Sequence, residues 1–164
     1  MKTTTVQPLT TAAFAPYGQF ANMLAPSGPA IGTAPIAFFR DMQPMRQPVG
    51  VTPSFSICQV TPRPLIIDTI EYHTATQEGI LPLDGDVLMH VAPATANGVL
   101  PETMDVFFIP QGTFIALNPG VWHHAVYAAG TTQVNTVIVL PERTYANDCT
   151  VVELTGDDRW EIKQ

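Results

Sequence analysis

Glu71-Tyr72-His73-Thr74-Ala75-Thr76-Gln77-Glu78-Gly79-Ile80-Leu81-Pro82-Leu83-Asp84-Gly85 carries three signals in one run. Glu71 and His73 stand two apart on a β-rich segment, and the period of a strand sends both side chains to one face. Gly79–Leu83 is a short apolar run of strand length. Asp84-Gly85 joins it to the next run, and because both residues tolerate positive φ the pair predicts a hairpin.

Outward from this stretch the pattern repeats. The runs Phe55–Val60, Leu65–His73, Gly79–Leu83, Val87–Ala92, Val106–Ile109, Thr113–Leu117, His124–Ala128 and Val134–Leu140 alternate with turn signals, and no amphipathic helix lies among them. One antiparallel barrel or jelly roll accommodates so many short strands. Residues 1–53 read as an irregular N-terminal extension: Thr10 or Thr11 caps a short turn through Phe14, Pro16 stops it, and Phe38-Phe39-Arg40-Asp41 offers one short strand. Residues 54–140 are the barrel of a single domain. The tail, 141–164, holds six of the fourteen acids and reads as peripheral.

Composition bounds the function. The 164 residues are 46% hydrophobic and 13% charged, which excludes a disordered chain. Seven Lys and Arg against fourteen Asp and Glu give a net charge of −7 with no basic cluster, which argues against nucleic acid or an anionic membrane as partner. No apolar run approaches the roughly 18 residues that span a bilayer. The opening residues lack the apolar core of a secretory signal, so a cytoplasmic protein is expected. Cys58 and Cys149 are too few for a disulfide framework and read as small buried residues.

The chemistry concentrates on histidine. The chain has four, His73, His90, His123 and His124. Glu71, His73 and Glu78 lie near the first hairpin, and Gly120-Val121-Trp122-His123 follows a later strand. Facing strands of a small barrel would gather Glu71, His73, Glu78 and His123 around one ion. Imidazole and carboxylate donors suit a borderline divalent metal: Ni, Mn, Fe or Zn.

At these residues the sequence resembles the cupin superfamily. Its first motif reads His-x-His, three or four residues, Glu, six residues, Gly; its second ends Gly, two residues, His. Glu71 stands at the first histidine, and His73, Glu78, Gly85, Gly120 and His123 fall at matching places. The resemblance implies an all-β fold, the cupin-type double-stranded β-helix or jelly-roll barrel. It narrows to the ureidoglycolate lyases (also called ureidoglycolate hydrolases). The matching pieces are Val6-Gln7-Pro8-Leu9-Thr10, Ala13-Phe14-Ala15-Pro16-Tyr17-Gly18, Thr61-Pro62-Arg63-Pro64-Leu65, Ile80–Gly85, Gly120-Val121-Trp122-His123-His124 and Asn147-Asp148-Cys149. That family implies a homodimeric, metal-dependent enzyme of allantoin degradation in purine catabolism, one that splits ureidoglycolate into glyoxylate and urea.

Some family positions differ. The family's Asn-Tyr-His-Arg is Ala116-Leu117-Asn118-Pro119 here, an arginine before Thr61 is Gln59, a histidine before Asp41 is Arg40, and a glutamine is Glu78. Poor or absent turnover of ureidoglycolate is the expectation, since a carboxylate and a ureido group need several directed donors. Tyr127, four after His123, is expected to face inward as a general acid or base, or else to pack in the core. His124 should point away from His123, to orient Trp122 or cross a dimer interface. His90 lines the barrel with or without a function. Arg40 and Arg63 are candidate clamps for a substrate carboxylate, or surface arginines. The other readings are a cupin isomerase or dioxygenase on another small acid, and a non-catalytic small-molecule-binding cupin.

Overall fold

The computed structural model describes all 164 residues. The elements in chain order are β1 (Lys2–Pro8), α1 (Thr11–Phe14), β2 (Gly18–Asn22), β3 (Ala30–Ile31), β4 (Phe38–Phe39), β5 (Pro53–Val60), β6 (Ile66–Ile67), β7 (Thr69–Tyr72), β8 (Glu78–Pro82), β9 (Val87–Val91), β10 (Asp105–Ile109), β11 (Thr113–Leu117), β12 (Tyr127–Ala128), β13 (Val134–Pro141), α2 (Thr144–Asn147), β14 (Thr150–Glu153) and β15 (Trp160–Lys163). Six strands form one sheet in the order β12-β9-β10-β1-β15-β6, five form a second in the order β2-β11-β8-β13-β5, and β14-β7 and β3-β4 form two small ribbons. Between β8 and β13 the chain crosses repeatedly from one large sheet to the other. This is the double wind of a cupin-type jelly-roll barrel, the fold expected from the sequence.

β9 shows how burial shapes the sequence. All five of its residues are buried. Val87, Met89 and Val91 enter the barrel core with Ile80, Phe107, Ile109, Ile115 and Leu117. Leu88 and, just past the strand, Ala92 join a second cluster on the opposite face, with Ile67, Ile70, Trp122, Tyr127 and Trp160. A strand covered on both faces reads as a continuous apolar run. Each fully buried large aliphatic side chain contributes about 1.5–3 kcal/mol.

Three features depart from the sequence reading. Asp84-Gly85 is not a hairpin, because β8 pairs with β11 and β13 while β9 pairs with β10 and β12. It is a corner between sheets. The Asp84 carboxylate accepts the Asn135 backbone N–H at 2.7 Å, and a Cβ on Gly85 would lie 2.7 Å from a Val134 methyl, so close approach is what requires glycine there.

Residues 2–22 hold more regular structure than the expected irregular extension. β1 runs parallel to both β10 and β15 and joins them, and β2 extends the other sheet beside β11. The side chains of β1 are largely exposed, so no apolar alternation marks it; the backbone bonds of its two neighbours define it. The turn at α1 is as expected, with Thr10 accepting the Ala13 N–H. The tail is also less peripheral than its acidity implies, since β14 pairs with β7 and β15 with β1 and β6. No helix is long and apolar enough to cross a membrane.

Candidate metal centre

β7, β8 and the segment before β12 meet at one end of the barrel. Glu71 and His123 sit opposite each other across an antiparallel bridge, exchanging backbone bonds of 2.6 and 2.9 Å. The preceding residue, Trp122, makes the same exchange with Ala92. This short piece of chain therefore stitches β7 to β9 and sets His123 beside Glu71 on one face. It also replaces most of the strand expected over His124–Ala128, of which only Tyr127–Ala128 pairs. Gly120, at φ +81°, turns the chain into this segment, and its N–H donates to the His73 carbonyl at 2.6 Å. Glu78 enters from β8 across the barrel.

Three of the predicted ligands, Glu71, His73 and His123, form one group, and Glu78 joins it through the two imidazoles. One donor atom from each of Glu71, His73 and His123 lies within 4.8 Å of the others. Glu78 Oε2 stands 3.0 Å from His73 Nε2 and 2.9 Å from His123 Nε2. All four residues are buried, none more than 8% exposed. The other ring nitrogens are committed: His73 Nδ1 donates to the Asp148 carbonyl, and His123 Nδ1 donates to the Val121 carbonyl at 2.8 Å. Both Nε2 atoms then aim at a carboxylate, and only protons or a cation between them reconcile lone pairs so close together. Metal-binding imidazoles carry this backbone anchoring. The donor set fits a divalent ion.

Electrostatics follow the same geometry. Burial alone would push the Glu78 carboxyl up, but the charge and hydrogen bonds of His123 and His73 bring it down to about 2. Burial would lower both histidines; the Glu78 carboxylate, aided by the Asp148 and Val121 carbonyls, holds both above the ordinary imidazole value.

The expected catalytic residues fare differently. Tyr127 is buried in the second cluster, its hydroxyl donates to the Ile66 carbonyl at 2.6 Å, and Arg63 stacks 4.1 Å from its ring centre. Burial raises its hydroxyl to about 12. Four residues after His123 do not restore the same face, because the chain is irregular between His123 and β12. Arg40 follows the exposed β4, is itself exposed, and pairs with Asp41 at 3.9 Å, with no bond to the four ligands. Arg63 is committed to the Ala125 carbonyl at 2.9 Å. His124 is half-buried and makes no hydrogen bond to the four ligands; burial lowers its imidazole, with the Glu71 charge opposing. His90 faces the second cluster, not the barrel interior. Trp122 packs against Tyr72.

The tail supplies what sequence reasoning missed. The Asp148 carboxylate accepts the Thr74 and Ala75 N–H groups, each at 2.8 Å, while its carbonyl anchors His73. Cys149 is only partly buried, and its thiol donates to Glu71 at 3.3 Å. Tyr145 on α2 sets its ring 6.1 Å from that of His73, near perpendicular. Tyr145 is 60% exposed, and burial of the part of its ring turned toward the site, with the charges of Glu78 and Glu71, raises its phenol above the usual tyrosine range. Its hydroxyl has no partner in the chain. Asn147-Asp148-Cys149 was a visible signal for this segment; nothing in the sequence marks Tyr145.

A jelly-roll barrel with buried histidines and carboxylates gathered at one end is a cupin-type enzyme architecture. A dTDP sugar isomerase from Desulfovibrio desulfuricans G20 has a similar fold, with a TM-score of 0.52 at 11% identity over 86% of this chain and 83% of that one. The match to the family Ureidoglycolate lyase runs over residues 1–163, and the chain belongs to this family of enzymes. Its relatives include the ureidoglycolate lyase of Burkholderia mallei, 30% identical over 79% of this chain and 78% of the relative. That of Azotobacter vinelandii is 26% identical over 78% and 79%.

Proposed function

We propose that the protein is a carbon–nitrogen lyase acting on a small hydroxy acid with a urea-type leaving group, and that Glu71, His73, Glu78 and His123 hold a divalent ion for it. The supporting observation is the convergence of both Nε2 atoms on Glu78 Oε2 while both Nδ1 atoms are fixed to backbone carbonyls. A divalent ion bound there supplies Lewis-acid polarisation of the substrate oxygens. Asp148 and Val121 keep the imidazoles in register. Cys149 donates to Glu71 and fixes its carboxylate.

Tyr145 takes the acid–base role expected of Tyr127. Its ring lies 6.1 Å from that of His73, and its phenol, raised in part by the charges of Glu78 and Glu71, stays protonated near neutrality. It gives its proton to the departing nitrogen as the carbon–nitrogen bond breaks, and the proton of the substrate hydroxyl restores it. The products are an aldehyde acid and a urea.

Family membership supports ureidoglycolate as the substrate, while Asn118, Pro119 and Gln59 make slow turnover the expectation. A homodimer belongs to the same reading, supported by Phe55 and Ile57, exposed on the edge strand β5. The free thiols of Cys58 and Cys149 fit a cytoplasmic setting. The test is metal analysis of the purified protein together with glyoxylate and urea release before and after chelation. Release that falls on chelation and returns with Ni or Mn supports the reading. Undiminished release from metal-free protein removes the metal, and no release from metal-loaded protein removes the substrate.

A further inference from the structure

A second polar cavity, of about 460 Å³, opens at the rim of the barrel, lined by Gln19, Pro44, Arg46, Gln77, Asn118 and Pro119. Its walls hold no carboxylate and no aliphatic or aromatic side chain apart from the two prolines. Gln77 directly precedes Glu78 in the chain, and Asn118-Pro119 directly precede Gly120, whose N–H meets the His73 carbonyl. The cavity is thus lined by the same chain segments that carry the candidate metal ligands, without sharing those ligands.

The hydrogen bonds around it have a direction. The Arg46 backbone N–H donates to Gln77 Oε1 at 2.6 Å. A backbone N–H cannot accept, so this bond fixes which way the Gln77 amide points. Gln77, only 8% exposed, then offers its Nε2–H to Asn118 Oδ1 at 3.3 Å. With that oxygen occupied, Asn118 has its NH2 to offer elsewhere. At the other wall the Gln19 oxygen accepts from Gln43 Nε2 at 3.4 Å, which leaves the Gln19 NH2 as the free group.

Arg46 adds the charge. Of the seven basic side chains, Lys2, Arg40 and Lys163 form ion pairs, Arg63 and Arg159 donate to backbone carbonyls, and Arg46 and Arg143 do neither; of these two only Arg46 lines the cavity. The guanidinium of Arg46 makes no ion pair or hydrogen bond within the chain. A planar fork of N–H donors flanked by two amide NH2 groups matches the two in-plane oxygens of a carboxylate. On a chain of net charge −7 the overall field repels anions, so attraction at this point comes from the local donors.

We infer that this cavity binds a small carboxylate, with Arg46 as the charge partner, Asn118 and Gln19 as amide donors and Gln77 as the residue that orients Asn118. The carboxylate is either the substrate's own or that of a separate free acid.

The test is an NMR titration of the full-length protein with propionate, a carboxylate that does not chelate, and with propionamide as its uncharged counterpart. Propionate is expected to give saturable shifts of the Arg46 Nε–H and the Asn118 and Gln77 amide signals, and propionamide none. Arg46→Gln should weaken propionate at least tenfold, as should Asn118→Asp, which sets a negative charge against the ligand. Both positions are exposed, so folding is not at stake. His123→Ala should leave propionate affinity unchanged. The inference is overturned if propionamide binds as well as propionate, if Arg46→Gln binds normally, or if only His123→Ala loses binding. Given binding, competition with the lyase substrate identifies the substrate's own carboxylate, and unchanged substrate affinity identifies a separate acid.

Discussion

His73 and His123 on one side, and His90 on the other, are buried imidazoles in the same small molecule with opposite fates. The first two share a buried carboxylate and have each Nδ1 fixed to a carbonyl, and their basicity is raised. His90 is wholly buried at 0% exposure among apolar side chains on the far face of β9, and neither ring nitrogen meets a partner with hydrogen-bond geometry. Burial, with the positive neighbours His124, His123 and Arg63, pushes it down to about 3, and a poor contact with the Thr69 backbone does not offset this. Burial disfavours the charged form at all three sites. The presence of Glu78 on one side and of apolar walls on the other decides the sign.

The strongest way to break the contrast is His123→Ala, which turns the paired site into a partial one. Metal content of the purified variant should fall at least a hundredfold in apparent affinity, with lyase activity lost and the circular dichroism of the barrel retained. Unchanged metal content would take His123 out of the ligand set.

Tyr145→Phe asks whether the paired histidines serve a reaction or only the fold. The hydroxyl holds no bond in the chain, so melting temperature should stay put. kcat should drop about a hundredfold, the usual size of a lost general acid, with KM little changed. An unchanged kcat would return the acid–base role to another group.

His90→Leu sharpens the other half. Removing two unpartnered nitrogens should stabilise the protein by about 1–3 kcal/mol at neutral pH. The effect should grow in acid. A histidine depressed in the folded state is neutral there while the unfolded chain takes up a proton, so wild-type stability is present above about pH 6.5 and is lost as pH falls toward 3. The loss is on the order of 1.4 kcal/mol per pH unit at most, and the leucine variant should lack it. Parallel wild-type and variant curves from pH 7 to pH 4 would contradict this.

The paired site has the opposite sign in metal-free protein. Histidines raised above 6.5 contribute stability that is complete below that pH and is lost as pH rises through their folded values. Glu78→Gln removes the carboxylate that raises them, so the alkaline fall in stability should flatten. The same near-isosteric change should weaken metal binding about tenfold, the lower end for altered metal-site partners, without disturbing the Asp84-Gly85 corner. Equal metal affinity in wild type and variant would leave Glu71, His73 and His123 as the ligand set.

The sequence by itself determined the barrel and most of its strands, because two-residue periodicity and turn residues are local properties of the chain. It also determined that Glu71 and His73 share a face. That Glu78 and His123 meet them rests on motif spacing here and on the β7–His123 bridge in space. β1 was decided only by tertiary structure: its exposed threonines carry no apolar signal, and its place comes from the backbone bonds of β10 and β15. That Tyr127 packs in the second cluster and that the Tyr145 ring comes beside His73 were likewise decided in space. Regular strand alternation cannot be extrapolated through the irregular segment after His123, and Tyr145 reaches His73 from 72 residues away in the chain. Local pattern governs which residues can share a face, while long-range packing governs which faces meet.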